Sequence, residues 1–110
     1  MDLKELNYLV TIADEGSISR AAERLYMAQS SLSQFLQLYE AELGARLFVR
    51  TARGVRPTAA GQAFIQNARQ ILLHYRRAQN ELWDIEQLKG GRIELGTATF
   101  LNTYITIIYA

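Results

Sequence analysis

The chain is 110 residues long, carries a formal net charge of +1 and is 49% hydrophobic, enough for one compact domain plus an appendage. It contains no cysteine, which excludes a disulfide framework and any thiolate metal site. Asp2-Leu3-Lys4-Glu5 is charged where a signal peptide needs an apolar run, and no stretch of ~18 apolar residues offers a membrane span, so a cytoplasmic protein is expected.

Leu3, Leu6, Leu9, Val10 and Ala13 fall on one helical face, with Asp2 near the positive end of the helix dipole. Gly16 suits a left-handed C-cap, and Ser17 follows as an N-cap. The stretch Ser17 to Leu43 then reads as two helices joined by a tight turn. Ile18, Ala21, Ala22 and Leu25 recur at i, i+3, i+4 and i+7, and Leu32, Leu36, Tyr39 and Leu43 form a second such row. Tyr26-Met27-Ala28 leaves room only for a turn, Ala28 supplies no capping side chain, and Gly44 ends the second helix. Small Ala21 and Ala22 allow the two helices to cross closely. Outward on the second helix lie Gln29, Ser30, Ser33, Gln34 and Gln37, a polar, uncharged face suited to base edges in a DNA major groove. The stretch reads as a helix-turn-helix.

The period changes after Arg46. Leu47-Phe48-Val49 is β-prone, Thr51-Ala52-Arg53-Gly54 forms a turn and Val55 returns, which makes a two-stranded wing. Pro57 stops it and Thr58 caps the next helix. Charge is distributed unevenly. Residues 1–45 set Lys4, Arg20 and Arg24 against seven acidic side chains, whereas 46–56 hold Arg46, Arg50, Arg53 and Arg56 with no acid. That cluster suits a phosphate-binding flank, although a loop kept basic for solubility fits the charge equally well.

A helix from about Ala59 to Leu88 would be roughly 45 Å long. Phe64, Ala68, Ile71, Tyr75, Ala78, Leu82 and Ile85 alternate in steps of four and three, widened by Ile65, Leu72 and Trp83. Such a seam wants a partner, most economically a second copy of the chain; a homodimer is expected, with a tetramer open if wings or tails also associate. His74, the only histidine, lies on this helix near Asn67, Gln70 and Arg77 and reads as a solvated or interface residue. Neither paired carboxylates, metal-ligand spacing nor a nucleophile motif is present, and Gly90-Gly91 with Gly96 lacks the context of a phosphate loop. No catalytic residue, cofactor or metal is expected.

Ser17-Ile18-Ser19-Arg20-Ala21-Ala22-Glu23-Arg24-Leu25, Gln29-Ser30-Ser31-Leu32-Ser33, Glu42-Leu43-Gly44, Leu47-Phe48, Arg50, Arg53 and Thr58-Ala59-Ala60-Gly61 together closely resemble the LysR-type transcriptional regulators, over residues 1 to about 90. The resemblance implies a mainly α fold: a winged helix-turn-helix (1–57), a linker helix that pairs protomers (58–89), and a hinge opening an effector domain (90–110). It implies binding to a partly palindromic promoter site, with regulation set by a small-molecule co-inducer. Gln29, Ser30, Ser31, Ser33 and Gln34 match the contacting end of the recognition helix, with Gln37 further along it. Arg50 and Arg53 match the wing, and Ser17 and Ser19 the start of the preceding helix, where N–H groups can hold a phosphate. Phe64, Ala68, Ile71, Leu72, Tyr75, Ala78, Leu82 and Ile85 match the dimerisation seam.

Two departures stand out. Gln34, Gln37 and Leu38 are all uncharged where the family usually carries a basic residue at one or more of these positions, which predicts weaker binding and a shallower salt dependence, each phosphate contact contributing roughly −0.9 to the log–log slope. Phe35 and Leu38 add apolar bulk on the flanks of this helix, where one of them is expected to pack against the long helix or to touch a thymine methyl. The residues after Gly90 are too few for the family's effector domain, so a co-inducer is not expected to act on this chain, and the β-prone tail is expected to be disordered, paired between chains or prone to aggregate. The competing reading is a helical protein-interaction module that does not read DNA.

Overall fold

The computed structural model describes residues 2–89, in the order α1 (Leu3–Glu15), α2 (Ile18–Arg24), α3 (Gln29–Leu43), β1 (Phe48–Thr51), β2 (Gly54–Pro57) and α4 (Ala59–Lys89). The expected hinge and first effector strand at 90–110 lie outside the described residues. The chain divides into two compact units, one running through Leu72 and one from Leu73 onward.

Local capping accounts for the helix ends. Asp2 and Glu5 form a capping box on α1, the Glu5 N–H donating to Asp2 Oδ1 at 2.8 Å and the Asp2 N–H to Glu5 Oε1 at 3.2 Å. Gly16 closes α1 at φ 64°, and Ser17 Oγ accepts the Arg20 N–H to open α2. No side chain caps α3 at Ala28, and Gly44 ends that helix at φ 73°. The turn between α2 and α3 has one unusual residue: Tyr26 adopts φ 57° and is 96% exposed. A left-handed tyrosine costs roughly 1–2 kcal/mol, and at this exposure no packing of its side chain offsets that.

Leu6, Leu9 and Ile12 of α1, Ala21 and Ala22 of α2, and Leu32, Leu36 and Tyr39 of α3 meet in one core, each large aliphatic contributing about 1.5–3 kcal/mol on burial. An aromatic ladder runs beside them. Tyr8 meets Phe35 edge-on at 5.2 Å, Phe35 meets Tyr39 at 5.4 Å, and Tyr39 meets Phe64 of α4 edge-on at 6.1 Å. Phe35 is therefore the packed one of the two, held between Tyr8 of α1 and Tyr39 one turn further along α3. Leu38 does stay out, at 64% exposure.

The wing pairs antiparallel in the register Phe48↔Pro57, Val49↔Arg56, Arg50↔Val55 and Thr51↔Gly54. Pro57 is thus the last strand residue, a place an edge strand tolerates because no ladder N–H is lost there. Three attachments hold the wing. Glu40 Oε2 accepts the N–H groups of Leu47 (2.6 Å) and Phe48 (3.2 Å). Thr58 donates its N–H to Leu47 O at 2.9 Å and its hydroxyl to Arg46 O at 2.7 Å, and it caps α4 by accepting the Gly61 N–H at 2.9 Å. On the other side the Val55 N–H donates to Gly16 O at 3.0 Å, with Gly54, at φ 128°, so close that a Cβ would stand 2.2 Å from the same oxygen.

Within the first unit, the opening turns of α4 pack onto the chain's own core: Ala68 is 1% exposed, Ile65 is buried, and Phe64 and Leu72 are half-buried against the same cluster. Ile71 is exposed. In the second unit Tyr75, Ala78, Leu82 and Ile85 all lie on the helix surface. No helix among the described residues is long and apolar enough to cross a membrane.

Candidate nucleic-acid interface

The buried row Leu32, Leu36 and Tyr39 fixes the rotation of α3, so the opposite side faces water. Ser30, Ser31, Gln34, Gln37 and Leu38 are exposed there, Gln29 is exposed at the first turn, and Ser33 is half-buried at the edge of the face. From Gln29 to Tyr39 the helix carries no charge.

Tertiary packing brings part of this helix to the wing. Because β2 is tied to Gly16, the hairpin lies beside the start of α2. Ser17, Ile18, Ser19, Gln29, Arg50, Thr51, Gly54 and Val55 line a single open cleft. Four expected contact residues from α2, α3 and β1 therefore share one site. Ser17 and Ser19 share a hydrogen bond at 3.1 Å, and Ser17 also caps Arg20, so their hydroxyls form a small ordered polar rim. Arg50 lies on the same hairpin face as Phe48 and Val55; those two bury their side chains, whereas Arg50, directly opposite Val55, reaches the surface.

The tip is ordered by Thr51, whose hydroxyl donates to Gly54 O and accepts the Arg53 N–H, both at 3.2 Å. Arg53 and Arg56, with Thr51 and Ala52, line a second hollow. Ion pairs Arg24–Glu15 at 3.0 Å and Arg69–Asp14 at 2.6 Å neutralise acids at the end of α1. Among the described residues, Arg46, Arg50, Arg53 and Arg56 have no ion-pair partner, which leaves the wing a concentrated positive field.

The arrangement can donate and accept hydrogen bonds along α3 and grip anions from the wing. Among the described residues no group of histidines and carboxylates could hold a metal ion. Arg46 and Arg56 belong to the same basic surface, as their place in the 46–56 arginine cluster suggests. Glu40 had no such signal, because the N–H groups that donate to it, those of Leu47 and Phe48, belong to the wing. Ser17, Ser19, Gln29 and Arg50 come together, Ser30, Ser31, Ser33, Gln34 and Gln37 occupy α3 beside them, and Arg53 stands at the wing tip.

Three helices, a two-stranded wing and a long following helix, with a polar third helix flanked by unpaired arginines, define a winged helix-turn-helix domain. The chain belongs to the lysR family of bacterial regulatory helix-turn-helix proteins, whose family pattern matches residues 3–62. It is 37% identical over 103 residues to the HTH-type transcriptional regulator TfdT of Cupriavidus pinatubonensis, covering 91% of this chain and 45% of that protein. It is 41% identical over 98 residues to the nitrogen assimilation regulatory protein nac of Escherichia coli, covering 89% of this chain and 32% of that protein. The chain thus spans less than half the length of these curated relatives. The BenM DNA-binding domain solved on its benA site 1 DNA superposes with a TM-score of 0.74 at 35% identity, over 78% of this chain and 97% of that one.

Proposed function

We propose that this chain is the DNA-reading part of a transcription regulator that binds a partly palindromic promoter site as a dimer. The observation that carries the reading is the cleft where Ser17, Ser19, Gln29 and Arg50 converge beside the uncharged face of α3. A helix presented this way enters the major groove with its first turns against base edges, while flanking cations fix register on phosphates. Gln29, Ser30 and Gln34 address bases; Arg50 and Arg53 hold the backbone or enter the minor groove. The BenM domain, solved on DNA with the same fold, supports this reading. In it, residues 1–57 read DNA, 58–89 pair two protomers through the surface stripe Ile71, Tyr75, Ala78, Leu82 and Ile85, and 90–110 begin a further domain. The protein acts in the cytoplasm, as a binder rather than an enzyme.

The test is selection from random duplexes at near-physiological salt. An inverted repeat should be enriched. Arg53→Ala should weaken all duplexes alike and reduce the salt slope by about 0.9, whereas Gln29→Ala should erode preference among sequences. Failure to retain any duplex would leave the interaction-module reading standing instead.

A further inference from the structure

Resting on the DNA-binding reading, we propose that Tyr26, in the turn between α2 and α3, contacts the DNA backbone, its phenol hydroxyl donating to a phosphate at the rim of the major groove. The turn is a glycine site occupied by tyrosine. The Met27 N–H donates to Ala22 O at 3.0 Å and the Tyr26 N–H to Glu23 O at 3.1 Å, the paired bonds that close a helix through a left-handed residue. Glycine takes that conformation at no steric cost, and asparagine is its usual substitute. Met27 accounts for its own place, because it packs against the core. Tyr26 does not: at φ 57° and 96% exposure, its ring offsets none of the strain within the chain. A strained side chain that stabilises nothing internally has its use outside the fold.

Its position selects the partner. Beyond the half-buried Met27, the residues Ala28, Gln29, Ser30 and Ser31 are all exposed, so the first turn of α3 stands clear of the core as the edge that enters the groove. Three residues of chain cover at most about 11 Å, and the major groove is about 12 Å wide. With Gln29 against base edges, Tyr26 is therefore within reach of a strand that walls the groove. Tyrosine suits that surface. Its ring offers large, rigid contact area at little entropic cost, and its hydroxyl is a donor for phosphate oxygen. Because Tyr26 precedes the helix that reads bases, its contact fixes register and carries no sequence information.

The test compares Tyr26→Phe, Tyr26→Asn and Tyr26→Gly with the unaltered chain on a duplex recovered from random selection. Tyr26→Phe keeps the ring but lacks the hydroxyl, so it should bind about tenfold more weakly, the effect of one hydrogen bond to a charged group. Its sequence preference and salt slope should stay unchanged, unlike those of a chain that loses a wing arginine. Tyr26→Asn and Tyr26→Gly should bind at least as weakly, yet unfold at the same or a higher urea concentration because the strain is relieved. Affinity and stability then move apart, which a residue with only a structural role would not produce. Methylphosphonate substituted for single phosphates in turn should reveal one linkage per half-site at which the Tyr26→Phe defect disappears. Full-strength binding by Tyr26→Phe, a defect that persists at every substituted linkage, or a lower urea midpoint for Tyr26→Gly would each overturn the contact; the first would leave the exposed ring to a protein partner. Failure of the unaltered chain to bind any duplex would remove the DNA-binding reading and the contact with it.

Discussion

Replacing Gly61 by alanine tests how the wing is joined to the helices. In an open helix this change stabilises by about 1 kcal/mol, the propensity difference between the two residues. Here the new Cβ would stand 1.9 Å from Leu47 O, 2.8 Å from its carbonyl carbon and 3.1 Å from its Cα, against an ordinary carbon–oxygen approach of ~3.3 Å or more. The carbonyl has no freedom to withdraw. It accepts the Thr58 N–H at 2.9 Å, the Leu47 N–H is held by Glu40 at 2.6 Å, and the Leu47 side chain is fully buried. Parting the segments costs the Thr58 hydrogen bond, about 1–3 kcal/mol when buried groups are orphaned, and overpacking adds another ~1–3 kcal/mol. Less the propensity gain, the net is a loss of about 1–5 kcal/mol from a total stability on the order of 5–15 kcal/mol. Urea unfolding followed by circular dichroism, at one fixed protein concentration because association shifts the midpoint, should show a lower midpoint with an unchanged slope. A Gly61→Ala chain as stable as the original, or more so, would refute the close approach of α4 to the strand.

Glu40→Ala should cost about 2–3 kcal/mol by orphaning the N–H groups of Leu47 and Phe48. It should also weaken DNA binding by loosening the wing, with Glu40→Gln recovering part of both in parallel unfolding and binding titrations. Tyr39 has a buried hydroxyl without a hydrogen-bond partner, so Tyr39→Phe should leave stability unchanged or raise it by about 1 kcal/mol near neutral pH. Burial, reinforced by the charges of Glu5, Glu42 and Asp2, raises that hydroxyl above its ordinary value of 10.0. The unfolded chain therefore releases this proton first, and the native state loses stability as pH climbs from about 10 toward the raised value. Urea midpoints of the two chains should diverge further above that pH and keep a constant difference below it.

Helix ends and element order are written locally, and the sequence determined them. Asp2 with Glu5, Gly16, Ser17, Gly44 and Thr58 each act on backbone within a few residues, so their roles follow from residue type and spacing. The polar face of α3 follows as well, because Leu32, Leu36 and Tyr39 set its rotation. Ordered motifs along 1–90 carried the family likeness that the pattern match at 3–62 establishes.

Tertiary structure decided what depends on contacts between distant segments. Phe35 and Leu38 look alike in a helical repeat, and only Tyr8 and Tyr39 distinguish the packed ring from the exposed leucine. A seven-residue seam records that α4 wants apolar neighbours without naming them: Ala68 found its own core, while Leu82 and Ile85 remain on the surface. The cleft uniting Ser17, Ser19, Gln29 and Arg50 exists because Val55 bonds to Gly16 and Glu40 and Thr58 hold the other side of the wing. Those bonds join residues 7 to 39 positions apart, and no local periodicity encodes a separation of that kind.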